Sequence, residues 1–201
     1  MIRHSLSSWG RLPLGLAIIG FVLGVLFSFL LPFQRASTMR VLITQPSAAG
    51  LDPYTAIKST ERVASSLSEL VYTTTFFDNV LSQNKEIDTS YFSQDKQGRR
   101  SLWRKTIETS IAPGTGIMEI SAFHRDPAQA RLIVDGVARE MATQTPNYFG
   151  YNIRVQIIDA PLDSRWFARP QFGTNALIGL ATGLLLGIVL MLMRNLRGIG
   201  E

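Results

Sequence analysis

Hydrophobic positions are concentrated in two unbroken runs, residues 12–33 and 172–193, each 22 residues long and without a charge. At about 1.5 Å of rise per helical residue, either run crosses the roughly 30 Å hydrocarbon layer of a membrane. The pattern predicts two membrane-spanning helices, closed by Arg35 and Arg194, around a segment of mixed polarity at residues 34–171. The first run exceeds the roughly 7–15 apolar residues of a signal peptide, and Gln34, Arg35, Ala36 and Ser37 make a poor cleavage site. It reads as an uncleaved anchor.

Inside each run small residues recur every four positions: Gly20, Gly24 and Ser28 in the first, Gly179, Gly183 and Gly187 in the second. That spacing stacks them on one helix face, where missing side chains let two backbones approach. The stripes predict helix packing and leave open whether it lies within one chain or between chains.

Between the runs the periodicity changes several times. Met39 to Thr44 alternates and is β-branched, which predicts a strand. Residues 46–50 read as a loop. Asp52 followed by Pro53 is a helix start, continued by Ile57, Ala64, Leu67 and Val71 at helical spacing. Thr75 and Asp78 suggest a capping box for a short second helix containing Val80 and Leu81. Residues 84–100 are polar, carry turn formers and predict a flexible loop. Glu108 to Ala112 and Ile117 to His124 read as strands around the turn Pro113-Gly114-Thr115-Gly116. Asp126, Pro127 and Gln129 then open a helix with Ala130, Ile133, Val134, Val137, Ala138 and Met141 on one stripe. That helix ends at Pro146 to Gly150. Ile153, Val155 and Ile157 form the last strand, ending at Asp159-Ala160-Pro161.

Strand, helices, strand, strand, helix, strand is the order of an α+β domain of the split βαβ, ferredoxin-like kind, with helices on one sheet face. If the first and last strands pair, both spans leave the sheet at one end.

Charge fixes the orientation. The chain carries +5 overall. Residues 34–171 hold 16 Lys/Arg and 14 Asp/Glu, a net +2. The remaining cations, Arg3, Arg11, Arg194 and Arg197, flank the spans, with Glu201 opposing them. Positive flanks stay inside and long segments translocate regardless of charge. Tails 1–11 and 194–201 are therefore expected in the cytoplasm and the middle domain outside it. Juxtamembrane charge of this kind does not call for nucleic acid.

The chain has no cysteine, which excludes thiolate chemistry and disulfides. Its histidines are His4, in a tail, and His124, which reads as a surface or capping residue. No Walker-type glycine loop occurs, and Gly114-x-Gly116 sits in a hairpin. Asp159 and Asp163 could bracket a bond but read more simply as turn residues. No enzyme, cofactor or metal is expected. Arg99, Arg100, Arg104 and Lys105 cluster around Trp103. They read either as a contact for an anionic lipid head group or glycan, or as a solvated helix face.

Two terminal spans, a short α+β domain and no catalytic set resemble the Wzz-type chain-length determinants, or polysaccharide co-polymerases. The residues that carry the resemblance are Pro113-Gly-Thr-Gly-Ile-Met-Glu-Ile-Ser121, the helix start Asp126-Pro127-x2-Ala130, Asp159-Ala160-Pro161, Pro170 and the Gly179/Gly183/Gly187 span. The resemblance implies a bacterial inner-membrane protein that sets the length of a lipid-linked polysaccharide, works with its polymerase and forms rings. Some members pair with a cytoplasmic tyrosine kinase or are fused to one. Here the middle of the domain is short, and Arg194 to Glu201 hold no fused kinase. The family's proline segment is reduced to Pro161 and Pro170, with Trp166 and Phe167 between them as an interfacial aromatic pair. The other reading is a two-span sensor that binds a ligand outside and signals to a partner inside.

Overall fold

The computed structural model describes residues 11–45, 52–150 and 153–197; Arg3, His4, Glu201 and the loop at 46–50 lie outside the described residues. The chain divides into two units. One joins the terminal segments, and the other is Gln34–Ala168.

The first unit is a pair of apolar helices, α1 (Arg11–Leu30) and α6 (Phe172–Arg197). The first ends three residues before the sequence pattern predicts. Pro32 explains this: its ring pushes the preceding residue, Leu31, out of helical conformation. The second helix runs past its expected end at Met193, because nothing between Arg194 and Arg197 breaks it.

The second unit mixes helix and sheet. Its elements are β1 (Arg35–Thr44), α2 (Pro53–Val71), α3 (Thr74–Gln83), a 3-10 turn (Thr89–Tyr91), α4 (Lys96–Thr106), β2 (Ile107–Ile111), β3 (Ile117–His124), α5 (Pro127–Phe149) and β4 (Arg154–Asp163). The four strands form one antiparallel sheet in the order β2-β3-β1-β4. Alternate residues Met39, Val41, Ile43, Met118, Ile120 and Ala122 are buried in the core. There they join Ala64 and Leu67 of α2 and, from the predicted stripe of α5, Ile133, Val134, Val137, Ala138 and Met141, while Ala130 is buried outside that cluster. The opposite sheet face is polar. Arg40 bridges Glu119 on one side (3.0 Å) and Asp159 on the other (3.8 Å), across three strands.

Several expectations are met and several are corrected. Asp52 caps α2 as its spacing predicts, accepting from the Tyr54 and Thr55 amides. Asp126 caps α5. The cap of α3 is Thr73 rather than Thr75; Phe76 at its third position has no acceptor to reach back, so a simple N-cap replaces the expected capping box. Gln129 does not reach back to its own helix. It accepts from the Asp88 amide (2.8 Å) and donates to the Glu86 carbonyl (3.2 Å), tying down the chain ahead of it.

That chain, residues 84–100, is not the flexible loop its polarity predicts. Ile87 and Phe92 are 3% and 4% exposed. Asp88 caps the 3-10 turn and Asp95 caps α4. Two apolar anchors and two carboxylate caps order a stretch that is otherwise polar. α5 continues through Pro146 to Phe149 and stops where Gly150 takes φ of +87°. β4 extends beyond its expected end to Asp163, so Asp159 and Pro161 are strand residues.

Candidate functional site

Both small-residue stripes face each other within the helix pair. The helices run antiparallel in steps of about four residues: Gly20 meets Gly179, Gly24 meets Asn175, Leu16 meets Gly183, and Pro13 meets Gly187. A Cβ at Gly20 would overlap the Gly179 carbonyl, and one at Gly179 would overlap the Gly20 carbonyl. One at Gly183 would lie 3.1 Å from the Ala17 Cα. In the single chain the two stripes lie against each other.

Ser28 is fully buried in the same contact. The Asn175 side-chain amide donates to its hydroxyl (2.9 Å), and the hydroxyl donates to the Gly24 carbonyl (3.1 Å). Phe29, Phe33 and Phe172 stack beyond it, with ring centroids 5.3–6.3 Å apart. Asn175 escaped the sequence reading, although a lone amide in an apolar run is the signal for it. A groove of about 990 Å³ runs along the pair, walled by side chains such as Leu23, Phe27 and Leu186, with the glycines on its floor.

In the α+β unit, the basic cluster is divided among different tasks. Trp103 is not among the exposed cations; it is 1% exposed and belongs to the core. Arg99 folds back, donating to the Ser93 carbonyl (3.3 Å) and lying 3.7 Å from Asp78. The Arg104 guanidinium lies 5.4 Å over the Tyr72 ring. Arg100 and Lys105 are exposed. The four residues therefore do not form one patch around the indole. Asp159 and Asp163 point to opposite faces of the sheet, toward Arg40 and toward Ser37, so they do not converge on a bond. Pro161 lies in β4, and Pro170 is buried after a cis Arg169–Pro170 peptide.

His124 is buried rather than on the surface. Its ring packs 4.3 Å from that of Tyr91, and its Nδ1 accepts from the Asp126 amide (3.0 Å). The cap of α5 is Asp126 itself, and His124 holds the amide of that cap residue. Among the described residues, no three His, Asp or Glu side chains converge as a metal site.

Two carboxylates, Asp163 and Glu140, take structural roles that their positions in the sequence do not reveal. Asp163 accepts from Ser37 on β1 (2.8 Å) and pairs with Arg131 on α5. It bolts the end of β4 to the start of β1 and to the helix above. The Arg131 guanidinium, helped by the Ser37 hydroxyl, holds its carboxyl below the usual carboxylate value. A depressed folded value means that the stabilisation is present above the unfolded value of about 3.9 and is lost as pH falls through the folded one. Acid unfolding of Asp163→Asn is expected to show a weaker pH dependence below about pH 4 than the parent. Identical acid profiles would remove Asp163 from that role.

Glu140 on α5 is 1% exposed. Its Oε2 accepts from Gln83 (2.7 Å), while its Oε1 has no partner among the described residues. An orphaned buried oxygen costs about 1–3 kcal/mol. Gln83 itself is exposed and can return to water. Glu140→Leu is therefore expected to stabilise the protein by roughly 1 kcal/mol, read as a higher thermal midpoint. A lower midpoint would mean that Oε1 is satisfied.

No protein-family model matches the chain, and no curated protein matches it.

Proposed function

We propose that the chain is a non-enzymatic regulator of polysaccharide chain length, held in a bacterial inner membrane by α1 and α6. Both termini are cytoplasmic, and the α+β domain lies outside. The observation that carries the membrane part is the helix pair. Only 17% of each apolar window is buried. Leu14, Ile18, Leu177 and Leu185 are 57–66% exposed. A core helix of a soluble protein hides such residues; here a contiguous apolar surface needs an apolar solvent. Lipid gives helices no hydrophobic reason to associate, so pairing rests on close backbone approach and buried polar contacts. Gly20 against Gly179 and Ser28 against Asn175 supply both.

The domain is the split βαβ, ferredoxin-like arrangement. β1 and β2 run parallel with β3 between them, and β3 and β4 run parallel with β1 between them. This order supports the resemblance to Wzz-type chain-length determinants, as does the hairpin at Pro113 to Gly116. A fold alone does not decide a function. The work assigned here is that of a scaffold: copies in a closed ring present identical surfaces to a growing lipid-linked polymer and its polymerase. A strain lacking the gene is expected to make polysaccharide of altered modal length and unchanged sugar composition. An unchanged length distribution on a gel would sink the proposal.

A further inference from the structure

The sheet register lines up Ile107, Ala122, Ser37 and Asp163 as one row across all four strands. Each strand carries a cation two or three residues beyond that row, at the same end. Lys105 precedes β2, Arg125 follows β3, Arg35 begins β1, and Arg165 follows β4. With strands about 4.8 Å apart, the row spans roughly 14 Å. Arg125 and Arg165 are exposed. The carboxylates nearby are engaged: Asp163 with Arg131 and Ser37, Asp126 with the Ala128 amide, and Asp88 with Ser90. The other end of the sheet carries a single strand cation, the exposed Arg154 at the start of β4, and its flanking residues Gln45, Ala112 to Gly116 and Ile153 are uncharged.

Large apolar side chains share the basic end. Leu162, Trp166 and Phe167 are 77%, 84% and 54% exposed. Their exposure is not that of a frayed tail. The Ser164 amide donates to the Ala36 carbonyl (2.7 Å) and the Ala168 amide to the Gln34 carbonyl (2.8 Å), so the segment lies fixed beside β1. The Arg35 guanidinium sits 5.7 Å over the Phe167 ring. Residues 31–34 are the chain that links α1 to β1.

We infer that this end of the sheet is a recognition face for anionic phospholipid head groups. The inference rests on the membrane reading. Cations in a row take up phosphate charge, while Trp166 and Leu162 offer apolar surface suited to the head-group boundary. A hydrated anionic glycan satisfies the first feature and leaves Leu162 unexplained. The sequence offered the cluster at Arg99, Arg100, Arg104 and Lys105 either for an anionic lipid or glycan contact or as a solvated helix face. The register keeps Lys105 and replaces the rest of that set with residues from the other three strands.

The test uses the full chain in nanodiscs of phosphatidylcholine alone, or of phosphatidylcholine with an equal amount of phosphatidylglycerol. Hydrogen exchange is followed at the amides of residues 162–168. Anionic discs are expected to slow exchange, and molar salt to erase the difference. Arg125→Glu and Arg165→Glu should each reduce the protection roughly fivefold. Arg125→Gln, Arg165→Gln and Trp166→Ser give the same readout if charge reversal prevents folding. Equal exchange in both discs overturns the inference. So does equal protection in neutral discs on adding a soluble anionic polysaccharide. Release of the chain from membranes by alkaline carbonate overturns the membrane reading itself, a failure distinct from the other two.

Discussion

Gly179→Leu is expected to open the helix pair. A Cβ at this position already collides with the Gly20 carbonyl and lies within 3.2 Å of the Gly24 Cα. Both obstacles are backbone, which cannot rotate away as a flexible side chain would. The helices must separate, and separation also breaks the hydrogen bond from Asn175 to Ser28. The cost is on the order of 3 kcal/mol, and Gly179→Ala should show a large part of it, because the first added carbon makes the clash. Gly15→Leu is the control: nothing lies within 4 Å of a Cβ there, and leucine favours helix. The chain has no native cysteine, so Ser28→Cys with Asn175→Cys reports directly on the pairing. That disulfide should form within one chain in the parent and with Gly15→Leu, and be lost with Gly179→Leu. Retention of the cross-link with leucine at 179 would show that the stripe is not the contact.

This result bears on what the glycine pattern means. The same spacing suits contact within one chain or between copies, and sequence periodicity cannot separate the two. The geometry places Gly20, Gly24, Gly179, Gly183 and Gly187 in the contact within the chain. Gly183→Leu is accordingly expected to act first on the hairpin, through Leu16 and Ala17, and on any assembly only as a consequence.

What was legible in the sequence follows from how local each signal is. The caps Asp52 and Asp126 bond to amides two or three residues away, so spacing alone reveals them. Strand β3 and the α5 stripe are equally local, since one buried face sets their period. Residues 84–100 were misread because their order comes from elsewhere: Gln129, 43 residues on from Glu86, holds their backbone, and Ile87 and Phe92 are too few to make a period. Glu140 was invisible for a similar reason, since a glutamate in a stable amphipathic helix reads as solvent-facing. The basic row across the strand ends was also hidden. Lys105, Arg125, Arg35 and Arg165 are scattered along the chain, and only the register brings them together.

Trp103 is the sharpest case of a residue whose neighbours in sequence misdescribe it. Four cations around it suggested an aromatic in a binding patch; such a residue would be dispensable for stability. The structure instead places its ring 4.8 Å from Phe77 and 6.0 Å from Phe92, and its indole N–H donates to the Val71 carbonyl at 2.7 Å. That carbonyl ends α2, where the helix offers it no partner of its own. One side chain thus closes α2, fills the space beside α3 and pins the capped segment before α4. Trp103→Ala removes the ring and orphans the carbonyl, at a cost of about 3–5 kcal/mol. That is a large share of the roughly 5–15 kcal/mol available to a domain. Trp103→Phe keeps most of the volume and loses the donor, and should cost about 1–2 kcal/mol. Trp166→Ala, at an exposed ring, should stay within about 0.5 kcal/mol of the parent. Denaturant unfolding of the three variants orders them as core, hydrogen bond and surface. If Trp103→Ala unfolded at the same denaturant concentration as Trp166→Ala, the indole would belong to the surface patch after all, and the basic residues beside it would regain their claim to a shared site.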